Sequence, residues 1–205
     1  MTRTLTGLYD SYTDAQLAVR DLEVAGINRD QISLVANNTG NRIRSEVGEG
    51  NEAGTGAEAG AAFGAVVGGG AGLLAGLGML AIPGIGPIVA AGWLVATAAG
   101  AVGGALVGGA GGGVIGAMIG NGIPEEHAHV YAEGVRRGGT LVAVRAEDRL
   151  APMVEAILQK YGRVDPVARG NAYRETGWSR FDENAPPFDD EELGRERRVG
   201  RSTML

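Results

Sequence analysis

The chain has 205 residues, 37 of them glycine, no cysteine and a formal net charge of −6 at pH 7. The absence of cysteine excludes disulfides, thiol catalysis and cysteine metal ligands. Acidic and basic residues are interspersed without a basic patch, which argues against a nucleic-acid partner. The glycines follow no Gly-X-Y period, so a collagen helix is excluded. The first residues lack the apolar core and cleavage site of a secretory signal.

Residues 1–37 predict a β-α-β unit, the first half of an α/β domain. Apolar and polar residues alternate at its start, which is typical of a strand. Thr13 and Gln16 fit a capping box, which predicts a helix start, and Gly26 suits the left-handed residue that ends the helix. Residues 31–36 predict the second strand.

A glycine-rich stretch without charge dominates the middle of the chain. Residues 38–58 are interpreted as a polar linker, and no Asp, Glu, Lys or Arg occurs from Ala59 to Pro124. Small residues recur there at every fourth position, which predicts a glycine-zipper helical hairpin over 59–122. The predicted helix-packing glycines are Gly60, Gly64, Gly68, Gly72, Gly76, Gly100, Gly104, Gly108, Gly112, Gly116 and Gly120. The predicted turn, residues 82–87, contains Pro83, Gly84, Gly86 and Pro87.

Such helices need a partner, because glycine costs about 1 kcal/mol relative to alanine inside a helix in water. In lipid the backbone is forced into helix, and small-residue stripes let helices approach closely. At 1.5 Å per residue, arms 59–82 and 88–120 would be about 36 and 50 Å long, enough to cross a hydrocarbon core of about 30 Å. We therefore expect insertion in or association with the inner membrane, together with self-association. A soluble homo-oligomeric scaffold is the alternative.

Residues 123–168 predict a helix followed by the second β-α-β half. Pro124 opens the helix, and strand, helix and strand follow at 140–145, 148–161 and 163–168.

Without the insertion, the two β-α-β units predict an α+β, ferredoxin-like domain: an antiparallel sheet with helices on one face. The insertion would lie between two strands that are normally hairpin neighbours, so its ends must come together. Residues 169–205 mix prolines, acids and arginines without a period, which predicts a disordered charged tail.

Signals for catalysis or cofactor binding are weak. Residues 111–116 match G-x-G-x-x-G, but the match lies inside the glycine series and follows no predicted strand. His127 and His129 are two residues apart on a predicted helix, so they point in different directions and do not share a metal. The acidic residues of the tail lack a rigid setting, and no triad-like pattern is present. We expect a non-enzymatic protein without catalytic, cofactor-binding or metal residues. A small-ligand-binding α/β domain is a further alternative.

Four segments resemble bacterial general stress proteins of the YflT, heat-induced type. They are Gly7-Leu8-Tyr9-Asp10, Ala81-Ile82-Pro83-Gly84-Ile85-Gly86-Pro87, Gly122-Ile123-Pro124-Glu125-Glu126 and Gly134-Val135-Arg136-Arg137-Gly138-Gly139. The resemblance covers roughly residues 3–168 and implies a small α/β domain interrupted by a glycine-zipper segment, with a role in stress response. It implies no catalytic residues. The combined expectation is a stress-associated protein at the inner membrane with its domain in the cytoplasm; a wholly cytoplasmic location is the alternative.

Overall fold

A computed structural model of the protein describes residues 1–41, 43, 78–94, 96–97 and 113–195. The strands in these ranges are β1 (Thr2–Tyr9), β2 (Ile32–Asn37), β3 (Gly78–Ile82), β4 (Gly86–Ala91) and β5 (Thr140–Glu147). The α-helices are α1 (Tyr12–Val24), α2 (Gly113–Gly120), α3 (Glu125–Arg136), α4 (Ala151–Lys160) and α5 (Pro166–Glu175). Short 3-10 turns cover Arg29–Gln31 and Thr39–Asn41.

The five strands form one antiparallel sheet in the order β1-β5-β2-β4-β3. The register places Val142 of β5 opposite Leu34 of β2, and Leu34 opposite Ala91 of β4. On the outer edge of β1, Val164 makes an isolated antiparallel bridge with Leu8. An α+β fold is therefore present, and β5 lies inside the sheet although it comes last among these strands in sequence.

Helices cover both faces of the sheet. Val142 and Val144 of β5 point into the cluster formed with α1 and α4, which we call the α1/α4 face. Leu141 and Ala143 alternate with them and point into the cluster formed with α2 and α3, the α2/α3 face. The expectation of helices on one face is wrong because both sets of alternating strand residues are apolar and both need burial.

Helix α1 begins two residues earlier than the sequence predicts. Ser11 is its N-cap, in extended backbone, and its hydroxyl accepts from the Asp14 N–H at 3.5 Å. The predicted capping box at Thr13 is wrong, because Ser11 already receives a free N–H of the first turn. The predicted end is confirmed: Gly26 has a φ of 88°.

The predicted turn at 82–87 reverses the chain, but strands flank it instead of helices. β3 and β4 pair antiparallel on either side of Pro83–Ile85, and β4 pairs with β2. The helix prediction is wrong for 78–81 and 88–91, because these residues pair as strands and the β-branched residues of β4 fill the sheet. Gly84 and Gly86, with positive φ angles, lie in the turn itself.

Most of the predicted zipper lies outside the described residues. This holds for residues 59–77 and 98–112, and so for Gly60, Gly64, Gly68, Gly72, Gly76, Gly100, Gly104, Gly108 and Gly112. Gly116 and Gly120 lie on α2, where a Cβ added at Gly120 would meet nothing within 4 Å. Among the helices of the described ranges, none combines the length and apolar character that a bilayer crossing requires.

The chain after α4 is folded where a short strand and a disordered tail are expected. Asp165 caps α5 by accepting from the Ala168 N–H at 2.7 Å, and Pro166 fits the first helical position, so the strand is reduced to the bridge at Val164. We call residues 178–195 the C-terminal strap. Its Phe181 and Leu193 are buried. The disorder prediction is therefore wrong for 169–195, and residues 196–205 lie outside the described part.

Candidate interaction site

The edge hairpin, residues 78–91, presents an apolar tip. Ile85 at the tip is only 1% exposed, and its N–H donates to the Ile82 carbonyl at 3.1 Å. Gly84 and Gly86 on either side have φ angles of 75° and 94°, which L side chains rarely adopt. The hairpin therefore depends on cover from elsewhere in the chain.

The C-terminal strap supplies that cover. A Cβ at Gly84 would lie 2.7 Å from the backbone of Asp182 and of Glu183, and one at Gly86 would lie 2.8 Å from Cβ of Pro187. The strap therefore passes so close to the hairpin tip that any side chain at either glycine would displace it. The two glycines that the sequence assigns to a turn serve two purposes, chain reversal and close approach.

A buried carboxylate on α3 organises the cations that hold the strap. Glu133 is 1% exposed and accepts from Arg137 Nε at 2.7 Å and from Arg136 Nη1 at 3.3 Å. Arg136 Nη2 donates to the Pro186 carbonyl at 2.9 Å, and its guanidinium lies 4.3 Å from the centre of the Phe188 ring. The arrangement joins a charge-assisted network to a cation–π contact with the strap.

Helix α5 is held beside this network by further arginine contacts. Arg169 forms a bidentate pair with Asp10, with both N···O distances at 2.7 Å, and Arg174 pairs with Glu126. The Arg137 guanidinium lies 4.4 Å from the centre of the Tyr173 ring. Burial raises the pKa of the Tyr173 hydroxyl, while Arg169 opposes that rise.

Sequence reasoning missed this network. Arg136 lies in the last turn of α3 and Arg137 is its C-cap, positions where cations also suit the negative end of the helix dipole. The sequence does contain one indication of the network: Glu133 precedes Arg136 by three residues and Arg137 by four, the spacings at which helical side chains contact each other. The aromatic partner on the strap, Phe188, was not recognisable, because β5, α4 and α5 lie between it and α3 in the chain.

A second cluster, the Arg145 cluster, lies where α2 leads into α3. It consists of Arg145, Trp93 and Asn121. The Arg145 guanidinium lies 3.8 Å from the centre of the Trp93 ring, and its Nη2 donates to Asn121 Oδ1 at 2.5 Å. Trp93 is fixed in turn by donation from its Nε1 to the Gln31 carbonyl at 3.1 Å. None of these three residues is among the site residues predicted from the sequence.

The two histidines stay apart. His127 packs edge-on against the Tyr131 ring, with centroids 6.2 Å apart, whereas His129 Nε2 lies 3.9 Å from a Glu125 oxygen. Burial, and secondarily the charge of Arg180, lower the pKa of His129. In the described ranges no three His, Asp or Glu side chains gather as a metal site would require.

Asp182 and Asp189 of the strap accept hydrogen bonds from nearby backbone N–H groups and do not share one site. Asp182 Oδ1 accepts from the Asn184 N–H at 2.9 Å, and Asp189 Oδ1 from the Glu192 N–H at 2.8 Å. Of the G-x-G-x-x-G match, residues 113–116 form the start of α2 and the rest lies outside the described residues.

One shallow feature of the described residues bears on the small-ligand alternative. An open depression of about 430 Å³ lies at the end of α1 and is lined by Glu23, Ile27, Asn28, Arg29 and Asp30. Arg29 Nε and Glu23 Oε1 form an ion pair there at 3.1 Å, so two of its charged groups already pair with each other. Comparison with protein-family models, with curated proteins and with solved structures gives no match to this chain.

Proposed function

We propose that this protein is a non-enzymatic assembly protein, which joins copies of itself through its glycine-rich, charge-free segment. The observation that carries the proposal is the edge hairpin: it attaches the middle of that segment to the sheet. Two parts of the chain, residues 44–77 and 98–112, lie on either side of this hairpin. Each part starts and ends at the same folded domain: the first lies between Ile43 and Gly78, and the second between Thr97 and Gly113.

This attachment limits how far each part can extend from the domain. A part that leaves and returns must cover any distance twice. As helix, residues 44–77 would have a total length of about 50 Å, which allows about 25 Å out and 25 Å back. Residues 98–112 would have a total length of about 22 Å. Neither part could cross a hydrocarbon core of about 30 Å and return. Residues 44–58 also contain five charged side chains: Arg44, Glu46, Glu49, Glu52 and Glu58. While the hairpin is in the sheet, contact between copies is favoured over a double crossing.

The glycine spacing supplies the chemistry of such contact. A stripe of glycines at every fourth position lets helix backbones approach closely, and the dispersion attraction between them offsets the intrinsic cost of glycine in a helix. Self-association through glycine faces needs no cofactor and no catalytic residue.

Sedimentation velocity in detergent-free buffer tests the proposal. We expect the full chain to form a homo-oligomer. Replacing Gly64, Gly68, Gly104 and Gly108 together by leucine should reduce its size, because leucine separates the backbones. The matched control replaces the same four glycines by alanine, which keeps the stripe small and should keep the oligomer. A monomeric full chain, or an oligomer that the leucine variant leaves unchanged, contradicts the proposal.

Membrane association at the inner membrane, with the α/β domain in the cytoplasm, is the second candidate. The absence of charge from Ala59 to Pro124 favours it. A segment that crosses the membrane twice then requires that the edge hairpin detach from β2, so that residues 44–112 form one continuous segment. A chain that carbonate washing removes entirely from membranes, with and without stress, argues against insertion and leaves the assembly proposal intact.

We further infer that the domain is an extended ferredoxin-like unit, with a role in stress response as the family resemblance suggests. The bridge at Val164, then β1, β5 and β2, follow the spatial order expected for two split β-α-β units, with α1 and α4 as the two crossover helices. On this interpretation the edge hairpin continues the sheet beyond β2. A fragment that lacks residues 55–122 and still folds would support a split domain.

A further inference from the structure

We propose that the Arg145 cluster is a binding site for a phosphate group. The proposal does not depend on self-association, because all its residues lie on the folded domain. Arg145 lies near the end of the inner strand β5, Trp93 lies two residues after β4, and Asn121 lies in the connection between α2 and α3.

The Arg145 guanidinium is held in one position by groups that are themselves fixed. Its face rests on the Trp93 ring at 3.8 Å, and the ring is tethered through Nε1 to the Gln31 carbonyl. Asn121 presents Oδ1 to the guanidinium because its Nδ2 donates to the Ala117 carbonyl at 2.7 Å. A guanidinium preorganised in this way loses little conformational entropy when it binds an oxyanion.

The same guanidinium lacks the partner that its charge would normally have. Within the described part of the chain no carboxylate lies within ion-pair distance of Arg145, and its hydrogen bond goes to the neutral Asn121 amide. Arg136, Arg137, Arg169 and Arg174 differ, because each of them forms an ion pair with a carboxylate. A half-buried cation without a carboxylate partner favours an anionic ligand.

Hydroxyl groups lie on the same face of the sheet. Thr4 of β1 is the register partner of Arg145, and Thr6, two residues further on that face, donates to the Tyr131 hydroxyl at 3.0 Å. Because the Thr6 hydrogen is already used, Thr4 is the hydroxyl that the register places beside Arg145, and guanidinium N–H groups together with a hydroxyl donor match the oxygens of a phosphate.

The phosphate has two chemical sources, a free ion and a lipid headgroup. Trp93 begins the helical turn that reaches Thr97, so the cluster lies near the start of residues 98–112. A headgroup bound by Arg145 would place that start next to a membrane surface. Titration with phosphate and with vesicles separates the two sources.

Trp93 fluorescence reports on the site directly. Trp178→Phe leaves Trp93 as the only tryptophan. In this background we would titrate inorganic phosphate, vesicles of phosphatidylcholine alone, and vesicles that also contain phosphatidic acid. We expect a saturable change in Trp93 emission with phosphate, with phosphatidic acid vesicles, or with both. Response to the vesicles alone identifies the headgroup, and response to phosphate alone identifies the free ion.

Arg145→Gln should weaken the response at least tenfold. Arg145→Lys, which keeps the charge but loses the planar fork, should weaken it severalfold. The matched control is Arg3→Gln: it removes the same charge from the neighbouring strand, on the opposite face, and should leave binding unchanged. If Arg145→Gln fails to fold by circular dichroism, Arg145→Lys and Asn121→Ala carry the test. No response to phosphate or to either vesicle, or equal losses for Arg145→Gln and Arg3→Gln, overturns the proposal.

Discussion

The two faces of the sheet are stabilised by different means. On the α1/α4 face, aliphatic side chains from both helices fill the space against β5, and Val19, Leu22, Val154 and Leu158 are completely buried. On the α2/α3 face, apolar packing is joined by the carboxylate of Glu133 and the cations around it. The comparison shows that helices α1 and α4 alone cover one face of the sheet, whereas the other face also needs the C-terminal strap.

The polar groups on the two faces differ as well. On the α1/α4 face the Tyr9 hydroxyl donates to the Leu158 carbonyl at 2.8 Å, a neutral bond, and burial raises the pKa of Tyr9. On the other face Glu133, Arg136 and Arg137 form contacts between ionised groups. We therefore expect variants on the first face to act on core packing, and those on the second to act on strap attachment.

The largest expected effect is on the α1/α4 face. Leu158→Ala should lower the free energy of unfolding by about 4 kcal/mol, because it leaves a cavity in a fully buried cluster. Urea denaturation measures the change. Leu17→Ala on α1 is the matched control: Leu17 is 39% exposed and should lose less than about 1 kcal/mol. Equal losses would mean that the face is not tightly packed.

Removal of the carboxylate on the α2/α3 face comes next. Glu133→Ala should cost about 3 kcal/mol in free energy of unfolding, because it leaves two guanidinium groups without their buried partner. Glu155→Ala, which breaks the surface pair with Arg163, should cost less than about 1 kcal/mol. Urea denaturation compares the two variants. A Glu133→Ala variant as stable as Glu155→Ala would show that the network does not support this face.

The smallest expected effect is the difference between two glycine variants, and it reports on the contact between the strap and the hairpin tip. Gly84→Ala and Gly26→Ala both force alanine into a positive φ, which costs about 1 kcal/mol or somewhat more. A Cβ at Gly26 meets nothing within 4 Å, whereas one at Gly84 collides with the strap. Gly84→Ala should therefore lose about 1–2 kcal/mol more than Gly26→Ala. Trypsin should also cleave after Arg180 faster in Gly84→Ala only. Equal cleavage rates in both variants would show that the contact at Gly84 does not hold the strap in place.

The same contrast explains which parts of the fold were predictable. Helices α1, α3 and α4 and strands β1, β2 and β5 follow from periodicity and from glycines such as Gly26, because those signals are local. β3 and β4 were mistaken for helix because the glycine period dominated, while their pairing with β2 is a tertiary effect. The strap was mistaken for disorder because its few apolar anchors, such as Phe181, find partners only in the folded domain. The Arg145 cluster joins three separate segments, and no sequence spacing links them.

The late position of the strap in the chain has a consequence for synthesis. Residues 164–195 leave the ribosome after every element that they cover, including the edge of β1 and the hairpin tip at Ile85. A chain interrupted before this point displays an apolar tip and an open strand edge, the features that chaperones and proteases recognise. Attachment of the strap therefore distinguishes copies whose domain is covered from copies whose hairpin tip and β1 edge are still open.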